Sequence, residues 1–259
     1  MSPTGPAVPG NAARREISRR TVSLLKEYVG RGPMSARTYV NGDLILVVLG
    51  DTLTKAERVL TEENRNELVR EMRRAFMGTM RDRLGEVVEQ ETSRRVVTVL
   101  SDHSVDPDYA IVGCLLEAPA ALADGGPAAE DRDADVRVQQ RQISRGMSAL
   151  YKESIGRGAT ESRTYIDPDV ISVLLSGTLT RAELTLAQEE RPRSVRELRR
   201  QFQGALEKRA TAIVEEATGR SVIAFLSDHS IEPDYALEVF LMEPITESVD
   251  PGRPDSSSG

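Results

Sequence analysis

A chain of 259 residues, 39% hydrophobic and 29% charged, is long enough for two ordinary domains that each bury a core without metal or disulfide. Its one cysteine, Cys114, excludes an intrachain disulfide and a cysteine-built zinc cluster, and its formal net charge of −7 argues against broad attraction to nucleic acid or anionic lipid. It has neither a signal-type apolar run at the N-terminus nor a stretch near the ~18 apolar residues of a membrane span, so a cytoplasmic location is expected.

In chain order, residues 1–13 are rich in Pro, Gly and Ala and are expected to be a disordered tail. An amphipathic helix follows, with Ile17, Thr21, Leu24, Leu25 and Tyr28 on one stripe, stopped by Gly30. RTYVNGDLILVVL then reads as a β-hairpin turning at Asn41-Gly42. Ile45, Val47 and Leu49 alternate on its inner face, and the even positions are expected to meet a less demanding environment. Thr54 and Glu57 have capping-box spacing, which announces a short helix ending near Asn64 to Asn66. The long helix after it carries the stripe Leu68, Met72, Phe76, Met80, Leu84, Val87 and Val88. Strand, turn and strand close the unit, as RRVVTVLS, DHSVDPD and YAIVGCLLE.

The same order then repeats without a gap at a constant offset of about 126 residues, with about half of the aligned positions identical. EISRRTVSLLKEYVGRGPMSARTYVNGD meets QISRGMSALYKESIGRGATESRTYIDPD, and Ser172 stands where the first copy has Leu46. This is a domain duplication: residues 14–117, a linker at 118–137, residues 138–243, and a tail at 244–259 expected to be disordered. The fold class is α+β, two tandem repeats of α-β-β-α-α-β-β, each with a four-stranded antiparallel sheet packed on helices. The two units are expected to pack as a pseudo-symmetric pair.

The combination GRGP, RTYV, GDLILVVLGDTLTKAE, LVREMRR and VLSDHSVDPD, with GRGA, RTYI, PDVISVLLSGTLTRAE, SVRELRR and FLSDHSIEPD in the second copy, resembles the MpsC family. That family is named for a component of a sodium-translocating, membrane-potential-generating system. The resemblance covers nearly the whole of each unit. It implies a protein partner in an integral membrane system that moves ions or inorganic carbon; with the duplicated units, the leading expectation is a non-enzymatic cytoplasmic interaction or regulatory protein, peripheral to the inner membrane. It brings no catalytic residues and no cofactor.

Three constellations carry chemistry by residue type. The chain's two histidines, His103 and His229, both sit in the repeated DHS phrase. Asp102, His103 and Ser104 are adjacent on one segment, which is poor geometry for a triad, since triad groups converge from separate segments. His103, Asp106 and Asp108, with His229, Glu232 and Asp234, are candidate metal ligands, and a metal-dependent enzyme is the corresponding alternative. The favoured reading of the phrase is a four-to-six-residue hairpin turn in which Asp102 or Ser104 bonds local amides and Asp108 closes the loop. A histidine among carboxylates would have a raised pKa and sense pH. Arg70, Arg73 and Arg74, repeated as Arg196, Arg199 and Arg200, form a ridge paired with Glu67 and Glu71 on a solvated helix face. It is a candidate protein or phosphate interaction surface, with nucleic-acid regulation as the further alternative.

Overall fold

A computed structural model describes residues 9–117, 134–189 and 192–244. The expected tail over residues 1–8, the tail from 245 and the linker over 118–133 lie outside the described residues. The first unit runs α1 (Asn11–Val29), β1 (Ser35–Asn41), β2 (Leu44–Gly50), α2 (Lys55–Glu62), α3 (Asn66–Thr92), β3 (Val96–Val105) and β4 (Asp108–Leu116). The second repeats it as α4 (Ala134–Ile155), β5 (Glu161–Ile166), β6 (Val170–Ser176), α5 (Arg181–Gln188), α6 (Pro192–Thr218), β7 (Val222–Ser230) and β8 (Tyr235–Met242). Thus α1 begins inside the expected N-terminal tail, and α4 begins inside the expected linker.

Each unit forms one antiparallel four-stranded sheet, ordered β1-β2-β4-β3 and β5-β6-β8-β7. Helix α1 ends where Gly30 takes φ 80°, a left-handed conformation that glycine adopts without steric cost, and its N–H donates to Lys26 O (3.0 Å). Both capping boxes form, and Glu57 does more than cap. Its carboxylate takes the Thr54 N–H (2.7 Å) and also both arms of the buried Arg73 guanidinium (2.6 Å each). Arg73 in turn donates to Thr52 O (2.6 Å), so one ion pair joins the β2–α2 loop, α2 and α3. Glu183 and Arg199 repeat the arrangement at 2.6–2.8 Å.

One face of each sheet packs on its helices. Ile45, Val47, Leu49, Val99, Val112 and Cys114 meet α1 and α3, and Ile171, Val173, Leu175 and Phe240 meet α4 and α6. The opposite face is buried as well. Leu44, Leu46, Leu100, Ile111 and Leu115 form a single cluster with Val170, Leu174, Leu226, Leu237 and Leu241 of the second unit. The two sheets therefore pack face to face between two outer helix layers. Leu46 is fully buried, which corrects the expectation of a less demanding environment at the even positions of β2: the second copy covers them. Ser172, its counterpart, is 1% exposed and its hydroxyl has no hydrogen-bond partner.

The contact is pseudo-symmetric. Asp43, at the β1–β2 turn, accepts from Arg163 (2.6 Å) and Tyr165 (3.2 Å), while Asp169 accepts from Arg37 and from Tyr39 (2.7 Å) at the equivalent place. Asn41 adds a bond to Asp167 (2.8 Å). A further correction concerns α3: Leu68 is 43% exposed, and the buried positions of its first half are Val69, Arg73 and Met77. Apolar counting chose the wrong register because one position on the true inner face is an arginine neutralised in place.

Candidate functional site in the cleft between the units

The repeated DHS phrase is strand, not turn. In the first unit β3 continues to Val105, which pairs with Asp108, so only Asp106 and Pro107 make the connection; in the second, Ile231 to Asp234 connect Ser230 to Tyr235. Asp102 therefore has no local loop to cap. Its Oδ2 accepts the Ser227 N–H of β7 (2.9 Å), and Asp228 Oδ2 accepts the Ser101 N–H of β3 (2.8 Å). Each unit thus supplies a carboxylate for an amide on the other's edge strand, which satisfies groups that would otherwise be exposed ladder donors. Burial raises both carboxyls, Asp102 to about 6, against the pull of the bonded amides; Arg81, 3.3 Å from Asp228, opposes the rise there.

Along β3, neighbouring side chains alternate between faces, so Asp102 reaches the second unit while His103 turns toward α3. His103 and His229 are 5% and 4% exposed. Among the described residues Nε2 of both lacks a hydrogen-bond partner, as does Nδ1 of His229. Burial lowers both imidazoles to about 3, and three arginines push the same way on each: Arg73, Arg74 and Arg70 on His103, and Arg199, Arg196 and Arg200 on His229. The expected upward shift is therefore reversed, because these imidazoles face guanidinium groups while the nearby carboxylates are engaged elsewhere. Both rings are neutral at physiological pH.

The candidate metal ligands separate in the same way. Asp108 accepts the Thr52 and Leu53 N–H groups (2.8 and 2.9 Å) and the Thr52 hydroxyl (2.7 Å), and Asp234 accepts the Thr178 hydroxyl (3.1 Å) and the Leu179 N–H (2.9 Å). His103 and Asp108 thus serve different layers. Among the described residues no group of three or more His, Cys, Asp or Glu is placed to hold a metal ion, with Asp106 and Glu232 included in that comparison.

The arginine ridge also splits. Arg73 and Arg199 are buried in their ion pairs, so they belong to the core and not to a solvated face. Arg70 and Arg74, with Arg196 and Arg200, instead line a cleft of about 830 Å³ whose floor is β3 and β7 and whose walls are α3 and α6. Glu67 pairs with Arg74 (2.9 Å) and Arg70 (3.5 Å), and Glu197 pairs with Arg200 (3.0 Å). These glutamates are 73% and 57% exposed, so the pairs are screened and weak. Arg196 is exposed and has no ion pair among the described residues. Both histidines open onto this cleft.

Sequence reasoning missed two residues here, Gly78 and Gly204. They occupy equivalent positions in the middle of α3 and α6, line the cleft, and have no atom within 4 Å of where a Cβ would sit. A helix-interior glycine costs about 1 kcal/mol relative to alanine, and no packing here requires one. Their recurrence at the same helical position in both copies was the available signal. The copies also differ: the second unit presents Gln203 on its wall and Phe225 on its floor strand where the first has Met77 and Val99. Chemically the cleft brings together imidazoles without a hydrogen-bond partner at Nε2 among the described residues, guanidinium groups from both units, most of them paired with exposed glutamates, and open helix backbone on either side.

Comparison with known proteins agrees with the repeat. A family model described as the Na+-translocating membrane potential-generating system (MpsC) matches residues 11–118 and again residues 137–244. Neither the curated proteins nor the solved structures gave a match. Both matched segments together span most of the chain, which belongs to the MpsC family in two tandem copies.

Proposed function

We propose that this two-copy MpsC protein is a non-enzymatic, cytoplasmic regulatory component of a sodium-translocating or bicarbonate-linked membrane system, and that it responds to a small ligand bound between its copies. The family's name supports the link to a membrane system. No helix among the described residues is long and apolar enough to cross a bilayer, which fits a part that docks on integral membrane subunits. The observation that carries the ligand-binding role is the cleft itself: two buried histidines with nitrogens that have no hydrogen-bond partner among the described residues, and an arginine with no ion pair among them, line one space to which both copies contribute.

The pairing supports regulation through relative movement of the units. At the cleft floor the units are joined by the carboxylate-to-amide bonds Asp102 to Ser227 and Asp228 to Ser101 and by the Arg81–Asp228 pair, and a ligand touching both walls would favour one spacing of the two units over others. Affinity capture of the full chain from detergent-solubilised native membranes tests the membrane role. The expected result is co-recovery of integral ion-transport subunits; recovery of no integral membrane protein above a mock capture would refute it.

A further inference from the structure

We infer that the cleft binds an anion bearing two or more phosphate groups, one group on each half-site of the pseudo-two-fold pair. The inference rests on the proposed reading of the cleft as a ligand site and specifies its ligand. One half-site is Arg70, Arg74 and His103; the other is Arg196, Arg200 and His229. In each, the guanidinium groups belong to a helix wall and the imidazole to the strand floor. A tetrahedral phosphate group accepts donors from several directions at once, whereas a planar carboxylate presents two oxygens in one plane.

Three independent features favour an anion over a neutral or cationic ligand. Each imidazole lies in the positive field of three arginines and is itself uncharged, so it offers an N–H without the need of a counter-ion. Of the wall arginines, Arg196 has no ion pair among the described residues, Arg70, Arg74 and Arg200 are held by exposed glutamates that an incoming anion can displace at little cost, and Arg81 stays on Asp228. The floor carboxylates Asp102 and Asp228 are already turned onto backbone amides of the opposite unit. Gly78 and Gly204 leave the helix backbone open to close approach on both sides, as glycines do where main chain meets a ligand. The volume of about 830 Å³ suits a molecule of nucleotide size, within the ~300–1,000 Å³ usual for ligand pockets.

Isothermal titration of the full chain with inorganic phosphate, tripolyphosphate, ATP and a single-stranded oligonucleotide tests the inference. Tripolyphosphate should bind at least about tenfold more tightly than phosphate, because it engages both half-sites. Arg196→Gln removes an exposed side chain with no ion pair among the described residues, so the fold should persist by circular dichroism while affinity falls about tenfold. Glu67→Gln with Glu197→Gln should raise affinity about threefold by freeing the wall arginines, an effect that a merely structural role would not give. ATP binding tenfold tighter than tripolyphosphate identifies a nucleotide, read by Phe225 and Gln203; equal binding identifies the inorganic chain. Indistinguishable phosphate and tripolyphosphate affinities, an unchanged Arg196→Gln variant, or weaker binding by the glutamine pair would overturn the inference. So would oligonucleotide binding as strong as tripolyphosphate binding. Membrane capture without phosphate-selective binding removes this inference alone; phosphate-selective binding without capture removes the membrane role alone.

Discussion

The two copies differ most sharply at one pair of core positions, and the difference predicts a pH-dependent stability that can be engineered away. Where the first unit packs Leu25 of α1 against Val112 of β4, the second places Tyr151 of α4 and Glu238 of β8. Both are 2% exposed; the Tyr151 hydroxyl donates to Glu238 Oε1, and Oε2 has no hydrogen-bond partner among the described residues. Burial raises the Glu238 carboxyl from 4.5 to about 7, with the Ser227 and Tyr151 hydroxyls pulling the other way. The folded protein therefore keeps this proton up to about pH 7, while the unfolded chain releases it near 4.5. Folding stability falls as pH rises through that window and is level above it, at a cost of about 3 kcal/mol by pH 8. Tyr151→Leu with Glu238→Val copies the first unit's solution and removes both polar partners together, so neither leaves the other unpaired. The smaller leucine costs roughly 1 kcal/mol through incomplete filling. The double variant should thus be about 2 kcal/mol more stable at pH 8 and no more stable than wild type at pH 5. Urea unfolding at both values measures it. A gain of equal size at pH 5 and pH 8, or a loss at pH 8, would refute the reasoning.

Other consequences are equally specific. Gly78→Ala with Gly204→Ala should stabilise the fold by about 2 kcal/mol in thermal or urea unfolding, since nothing opposes either Cβ, yet weaken binding in the cleft. Glu57→Ala removes a cap and strands Arg73 in the core, and should cost about 3–5 kcal/mol; Thr54→Ala, which loses only the cap, should cost about 1 kcal/mol. The buried histidines titrate near 3 when folded and 6.5 when unfolded, so their contribution is lost as pH falls from 6.5 toward 3. Asp102 and Glu238 act in the opposite sense down to about pH 4.5, so circular dichroism should show a near-level region followed by steep acid unfolding below about pH 4. In His103→Gln with His229→Gln the acid midpoint should move down by about one pH unit.

Much of the fold could be read from the chain because its signals are local. Hydrophobic period, capping boxes and turn residues act within a few positions, and the internal repeat supplied a second copy of each. What failed were inferences about what lies across from an element. The even face of β2 looked undemanding because Ser172 replaces Leu46, but that face is buried by the other copy. The first half of α3 was read one position out because Arg73, an inward-facing residue, is charged by type and neutralised only by Glu57, a separate helix away.

The site shows the same division. Composition and spacing established that the only two histidines stand in equivalent places beside acidic residues and near repeated arginines. They could not establish direction. A strand that continues as far as Val105 moves Asp102 off the turn and onto the neighbouring unit, and leaves the imidazoles facing arginines instead of carboxylates. The sequence by itself determined two copies of one α+β unit, their element order and their aliphatic cores, because each depends on short-range pattern. Only the tertiary structure decided that the outer sheet faces meet, that Arg73 and Arg199 are buried while Arg70, Arg74, Arg196 and Arg200 border a cleft, and that the histidines are neutral. Those properties depend on burial and on charges from segments distant in the chain.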